Sequence, residues 1–154
     1  MTKLEQIAHV IASRAPTMGQ VDDKTLARCI GTMIFDIPMT RSGLVSESLT
    51  DKYGYRPSIS KCCLEHFHSR QQSGYKIIDM MRGECSFEEI VSFLKTATMA
   101  HLTTSEENIR LSKIQNHPAT KDLSWQDQYK LAGIKLVEDK GTMPARVKKE
   151  LGLK

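Results

Sequence analysis

The chain has no apolar run near the roughly 18 residues that a membrane span needs, so no membrane partner is expected. Its first residues, Met-Thr-Lys-Leu-Glu-Gln-Ile-Ala-His, lack the apolar stretch of a secretory signal, and the expected location is the cytoplasm. Glycine and proline are sparse, 9 and 5 among 154 residues, and no low-complexity tract or internal repeat is present, which argues against disorder and solenoids. Glycine placement excludes phosphate-cradling loops: there is no G-x-x-x-x-G-K-[ST], no G-x-G-x-x-G and no G-x-S-x-G. An H-E-x-x-H metal motif is missing too. The four cysteines, Cys29, Cys62, Cys63 and Cys85, form no C-x-x-C pair, so neither a zinc knuckle nor a disulfide framework is expected. Free, buried thiols in a reducing compartment are the expectation.

Hydrophobic residues make up 40% of the chain and charged residues 26%, the composition of a globular protein. The spacing predicts an α+β, mostly helical fold. Leu4, Ile7, Ala8 and Ile11 mark one face of a helix over 3–14. Asp22 or Asp23 caps a second helix carrying Leu26, Ile30, Met33 and Ile34, which stops before Pro38. A third helix is expected over 42–53, with Leu44, Val45, Leu49 and Tyr53 inward and Gly54 as its stop. Residues 1–57 therefore form a helical N-terminal unit.

After Pro57 a strand from Ile59 to Phe67 is expected, then a loop over 69–74. Tyr75 to Met81 suits a strand or a short helix equally. Two capping boxes follow, Ser86-Phe87-Glu88-Glu89 and Thr104-Ser105-Glu106-Glu107, each opening a helix. A short strand, Met99 to Thr103, lies between them, and Pro118 ends the second helix. A helix over 123–132, a strand from Ile134 to Val137 and a basic tail with a short helix complete the chain.

Chemistry concentrates in Leu64-Glu65-His66-Phe67-His68-Ser69-Arg70. On an alternating strand Glu65 and Phe67 share one face while His66 and His68 share the other. A carboxylate can ligate a hard divalent cation, and a neutral imidazole can take a proton from water near neutral pH. The second informative stretch is Met99 to Leu111, which reads as strand, cap and helix start, with Asn108 in the first helical turn.

Together the two stretches resemble the ββα-metal nucleases, the HNH or His-Me finger superfamily. Leu64-Glu65-His66-Phe67-His68 is similar to the corresponding segment of the phage recombination endonuclease VII branch. Thr103-Thr104-Ser105-Glu106-Glu107-Asn108-Ile109-Arg110-Leu111 is similar to a T-x-x-E-N-x-x-L run of phage-borne HNH proteins. The resemblance implies a ββα-metal core over 58–117 and a basic C-terminal DNA-contact region over 118–154. Because 42 positions separate His66 from Asn108, the Ser86 helix becomes an insertion between the two strands. Glu65 and Asn108 would hold one Mg²⁺ or Mn²⁺, with His68 as a further ligand or a phosphate contact. His66 would be the general base, Arg70 the phosphate clamp, and His101 and Arg110 outer contacts. The implied activity is metal-dependent DNA endonuclease, homing-like, in the cytoplasm of the host cell if phage-encoded. Double-stranded DNA is the implied partner, and a homodimer is one arrangement for cutting both strands.

An alternative nuclease pattern is Glu138-Asp139-Lys140 after the last strand, similar to the second half of the PD-(D/E)xK motif, with Asp122 or Asp127 as the upstream acid. A non-catalytic DNA-binding regulatory protein is the alternative of a different class. Charge bears on both. The whole chain carries 22 Lys+Arg against 18 Asp+Glu, a net +4. Residues 61–108 carry five basic and seven acidic side chains, whereas 109–154 carry ten and five. Arg110, Lys113, Lys140, Arg146, Lys148 and Lys149 are the expected phosphate contacts.

Overall fold

The computed structural model describes residues 1–15, 18–120 and 122–153. It is α+β and largely helical, and the chain divides into two compact units, each made of two stretches. The first unit takes Met1–Thr40 and His66–Ala100; the second takes Arg41–Glu65 and His101–Lys154. Neither coincides with one of the three consecutive segments expected from sequence.

The first unit is built from helices. α1 (Lys3–Ala12) opens with a capping box in which Thr2 and Glu5 bond each other's backbone, and it buries Ile7, Ala8 and Ile11. α2 (Asp23–Phe35) is capped by Asp22, whose side chain accepts from the Thr25 N–H. Its buried face is Leu26, Ala27, Ile30, Gly31 and Ile34. α3 (Arg70–Arg82) starts at the Ser69 cap, and α4 (Phe87–Ala97) at the Ser86–Glu89 capping box. α3 packs most extensively on α2, and α4 packs on α1.

Two expectations are corrected here. Residues 69–74 are not a loop, because Ser69 caps α3 and the stretch forms its first turns. Their polar look has a packing reason. α3 faces α2 with Ser73 and Gly74, and a Cβ at Gly74 would overlap the Ala27 carbonyl. A Cβ at Gly31 would likewise meet the Arg70 carbonyl. Small residues bring the two backbones together, so this buried face carries few large apolar side chains to mark it. In addition, two helices, α3 and α4, rather than one, lie between the candidate core strands.

The second unit holds most of a four-stranded sheet and the remaining helices. Its strands are β1 (Thr40–Ser46), β2 (Cys63–His66), β3 (Met99–Thr103) and β4 (Leu136–Glu138), in the order β2-β3-β1-β4. β1 and β4 run antiparallel, with Val45 opposite Val137. The third helix expected over 42–53 is thus replaced by β1 and a 3-10 turn, Glu47–Leu49. Gly43 takes a positive φ of 76°, which a helix does not accommodate, and β4 supplies a ladder from far along the chain. The strand expected from Ile59 to Phe67 shortens to β2, preceded by a 3-10 turn, Ile59–Lys61.

β3 leads directly into α5 (Ser105–Gln115) through the expected Thr104–Glu107 capping box. α6 (Trp125–Leu131) packs on α5, and α7 (Ala145–Glu150) lies in the basic tail. The unit's interior is markedly polar. Ser46 Oγ donates to Glu107 Oε1 at 2.6 Å, and Glu107 is only 1% exposed. Burial pushes the Glu107 pKa up, but hydrogen bonds from Ser46 and from the Thr104 backbone outweigh it, leaving the carboxyl below its ordinary range. The four cysteines are free, as expected, but Cys29 is exposed and the other three are only partly buried.

Candidate active site

In the first unit, the site begins where β2 ends. The His66 ring packs against Phe35 with centroids 4.4 Å apart, and the Arg70 guanidinium carbon lies 4.9 Å from the centroid of the same ring. Phe35, the last residue of α2, therefore braces an imidazole and a guanidinium together. Burial lowers the His66 pKa, and the nearby Arg70 charge lowers it further, so the neutral ring is favoured. Arg70 is the first residue of α3, where the positive end of the helix dipole adds to its pull on an anion. His68 is turned to a different neighbour. Its ring lies 5.6 Å from that of Phe93, and burial, then Lys76, lowers its pKa. Sequence reasoning missed both phenylalanines, since nothing local marks Phe35 or Phe93 as a support for a histidine.

In the second unit, Glu65 is half-buried in β2, and the Cys63 thiol two residues earlier lies 3.3 Å from Ser105 Oγ, in the first turn of α5. Tyr129 Oη and His101 Nε2 are 2.8 Å apart inside the unit, with His101 wholly buried. Burial raises the Tyr129 pKa, and the Glu65 charge adds to the rise, so the phenol stays protonated. His101 is therefore an interior hydrogen-bonding residue, paired with Tyr129. Asn108 lies on the side of α5 with Ile109, Ser112, Lys113 and Asn116, lining a hollow of about 420 Å³.

Among the described residues, no group of three or more His, Cys, Asp or Glu side chains is gathered as if to hold a metal. Glu65 and Asn108 offer oxygen donors. Each is the kind of oxygen donor that Mg²⁺ and Mn²⁺ take.

The remaining candidates are dispersed over the second unit. Arg110 Nε donates to the Ala132 carbonyl at 3.0 Å, and Lys113 is exposed on α5. Arg146 pairs with Glu150 on α7, while Lys148 and Lys149 are exposed. Glu138 and Lys140 line a hollow of about 460 Å³ with Glu47, Asp51 and Lys52. Neither Asp122 nor Asp127 lines it; Asp127 is bonded to Ser124 at the start of α6. Asp139 is held by Arg56 at 2.7 Å and Arg41 at 3.3 Å. Among the described residues, no helix is long and apolar enough to cross a membrane. Compared with protein-family models, curated proteins and solved structures, the chain matches none.

Proposed function

We propose that the chain is a metal-dependent DNA endonuclease of the ββα-metal type, hydrolysing a phosphodiester with His66 as general base. The observation that carries this reading is the pairing of His66 and Arg70 on the Phe35 ring, one residue after Glu65. A base must be unprotonated to act, and the surroundings of His66 favour that form. The adjacent guanidinium is suited to hold a phosphate oxygen by charge-assisted hydrogen bonds. The succession of β2, its sheet neighbour β3 and the helix α5 that follows β3 directly supports the same reading.

In the proposed reaction His66 accepts a proton from water as the oxygen attacks phosphorus. The P–O3′ bond breaks, and the leaving oxygen acquires a proton from solvent. Arg70 holds a non-bridging phosphate oxygen through the attack. Glu65 and Asn108 are the residues that would hold Mg²⁺ or Mn²⁺. Bound there, the ion would supply Lewis-acid stabilisation of the charge that develops on the phosphate. Tyr129 is kept protonated, chiefly by burial and in part by the Glu65 charge.

Incubating the purified chain with supercoiled plasmid in Mg²⁺ or Mn²⁺ should yield nicked or linear DNA. His66→Ala should lose the activity and Glu138→Ala should keep it. If Glu138→Ala is inactive and His66→Ala cuts normally, the acid–lysine arrangement around Glu138 and Lys140 replaces this reading. Salt-sensitive binding with no cleavage in either metal would make the chain a DNA-binding regulator instead.

A further inference from the structure

Cys62 and Cys63 are neighbours in the chain, and both are half-buried in the second unit. They sit where three elements meet. Cys62 closes the Ile59–Lys61 3-10 turn, and its thiol donates to the Ser58 carbonyl at 3.5 Å. Cys63 is the first residue of β2, and its sulfur lies 3.3 Å from Oγ of Ser105, the first residue of α5. The backbone at Cys62 is extended, so the two side chains leave on opposite sides and serve different partners. The proposed hydrolysis uses neither thiol.

This arrangement suits oxidation rather than metal binding. Thiols on opposite sides of one backbone do not converge on an ion, and among the described residues no third His, Cys, Asp or Glu joins them. A disulfide between the two needs no other side chain. Its cost is local: Cys62 precedes β2, so turning the Cys62–Cys63 unit takes one residue from the strand. Neighbouring Cα atoms are about 3.8 Å apart, below the usual disulfide range of about 4.4–6.8 Å, so the bond is strained and readily reduced. Charge assists the closure. Burial, joined by the Asp139 charge, keeps the Cys62 thiol protonated at rest. Arg56 and Arg41 pull the other way and favour the thiolate as it attacks.

We infer that Cys62 and Cys63 are a peroxide-oxidised pair whose disulfide unlatches β2 from the start of α5. Cys63 lies beside the exposed Ser105, on the side from which hydrogen peroxide arrives. Its sulfur attacks one peroxide oxygen, the O–O bond breaks, and a sulfenic acid and one water result. The Cys62 sulfur then forms the S–S bond. The sulfenic hydroxyl leaves and takes the Cys62 proton as a second water. Closing the ring draws the sulfurs from Ser58 and Ser105. Glu65 follows Cys63 by two residues in β2, and Asn108 follows Ser105 by three in α5, so the loss of this latch disturbs both proposed metal donors. That consequence rests on the endonuclease reading; the disulfide does not.

The test treats the full chain, as Cys29→Ser to remove its exposed thiol, with hydrogen peroxide, and reads mass, hydrogen exchange and plasmid cleavage. The tryptic peptide Cys62–Arg70 should lose about 2 Da, two hydrogens, and regain them in dithiothreitol. Amides in the first turn of α5 should exchange about tenfold faster in the oxidised chain. Cleavage should fall at least about tenfold and return on reduction, since a misplacement of about 1 Å costs as much as 10²-fold. Cys62→Ser should show none of the three changes, and its Cys63 should be trapped by dimedone as the sulfenic acid. A Cys62–Arg70 peptide that stays alkylatable at both cysteines, or that only gains oxygen or cross-links to a second chain, would overturn the pair. An internal disulfide that leaves exchange in α5 unchanged would overturn the latch. A reduced chain that never cuts, while the disulfide forms and exchange rises, sinks the nuclease and leaves the switch.

Discussion

The two units are stabilised by different chemistry. The continuous apolar core, from Ile7, Ile11 and Ile30 to Ile77, Ile78 and Leu94, lies wholly in the first unit. Among the described residues, its buried polar side chains are Ser73 and Thr98. The second unit buries Ser46, His101, Thr103, Glu107, Gln115 and Gln128, with few large apolar side chains beyond Val45, Leu102, Leu111 and Ile134. It also carries the whole net charge of the chain. Aliphatic packing needs no particular partner, so a helical layer of isoleucines tolerates many arrangements of similar volume. Buried polar groups must be satisfied by specific partners, so a polar interior fixes one arrangement and is sensitive to the loss of any member. His66 and Arg70 are braced in the apolar unit, while Glu65, Asn108 and the basic side chains belong to the polar one.

That contrast can be broken from either side. The largest effect is expected at the close approach of α2 and α3. Gly74→Ala places a methyl group against the Ala27 backbone, which cannot move aside as a side chain could. We expect a loss of about 3 kcal/mol, read by urea unfolding. A stability unchanged by Gly74→Ala would show that the two helices are held less tightly than the small-residue contact requires. The next effect is expected in the polar unit. Glu107→Ala removes the Ser46 hydrogen bond and the reciprocal cap at Thr104 together, for about 2 to 3 kcal/mol. Ser46→Ala removes only one of these partners and should cost about 1 kcal/mol. A double-mutant cycle between the two positions sharpens the comparison: a coupling energy near zero would mean that the buried pair does not specify the unit's interior.

How much was legible in the sequence follows the same division between local and distant causes. α4, β3 and α5 were readable because Ser86 with Glu89 and Thr104 with Glu107 announce their helices within four residues, and Pro118 closes the second. The first turns of α3 were hidden because they bury Ser73 and Gly74, residues that suggest a turn until α2 is placed against them, whereas Ile77 and Ile78 mark its second half. β1 was hidden because its partner β4 lies at the far end of the chain, and the apolar residues between 44 and 53 mimic a helical period. For the candidate site, the Glu65–His66 pair and Asn108 were visible as residue types. The support of His66 by Phe35 and the bond between Tyr129 and His101 depend on tertiary packing and left no local trace.

The central claim is that His66 removes a proton from the attacking water. Single-turnover cleavage of a labelled duplex by His66→Gly, with and without added imidazole, tests it most directly. A general base contributes about 10²- to 10⁴-fold, so the variant should cut at least about 100-fold more slowly than the wild type, and imidazole should restore part of the lost rate. A His66→Gly variant that cuts at the wild-type rate, with or without imidazole, would contradict the assignment.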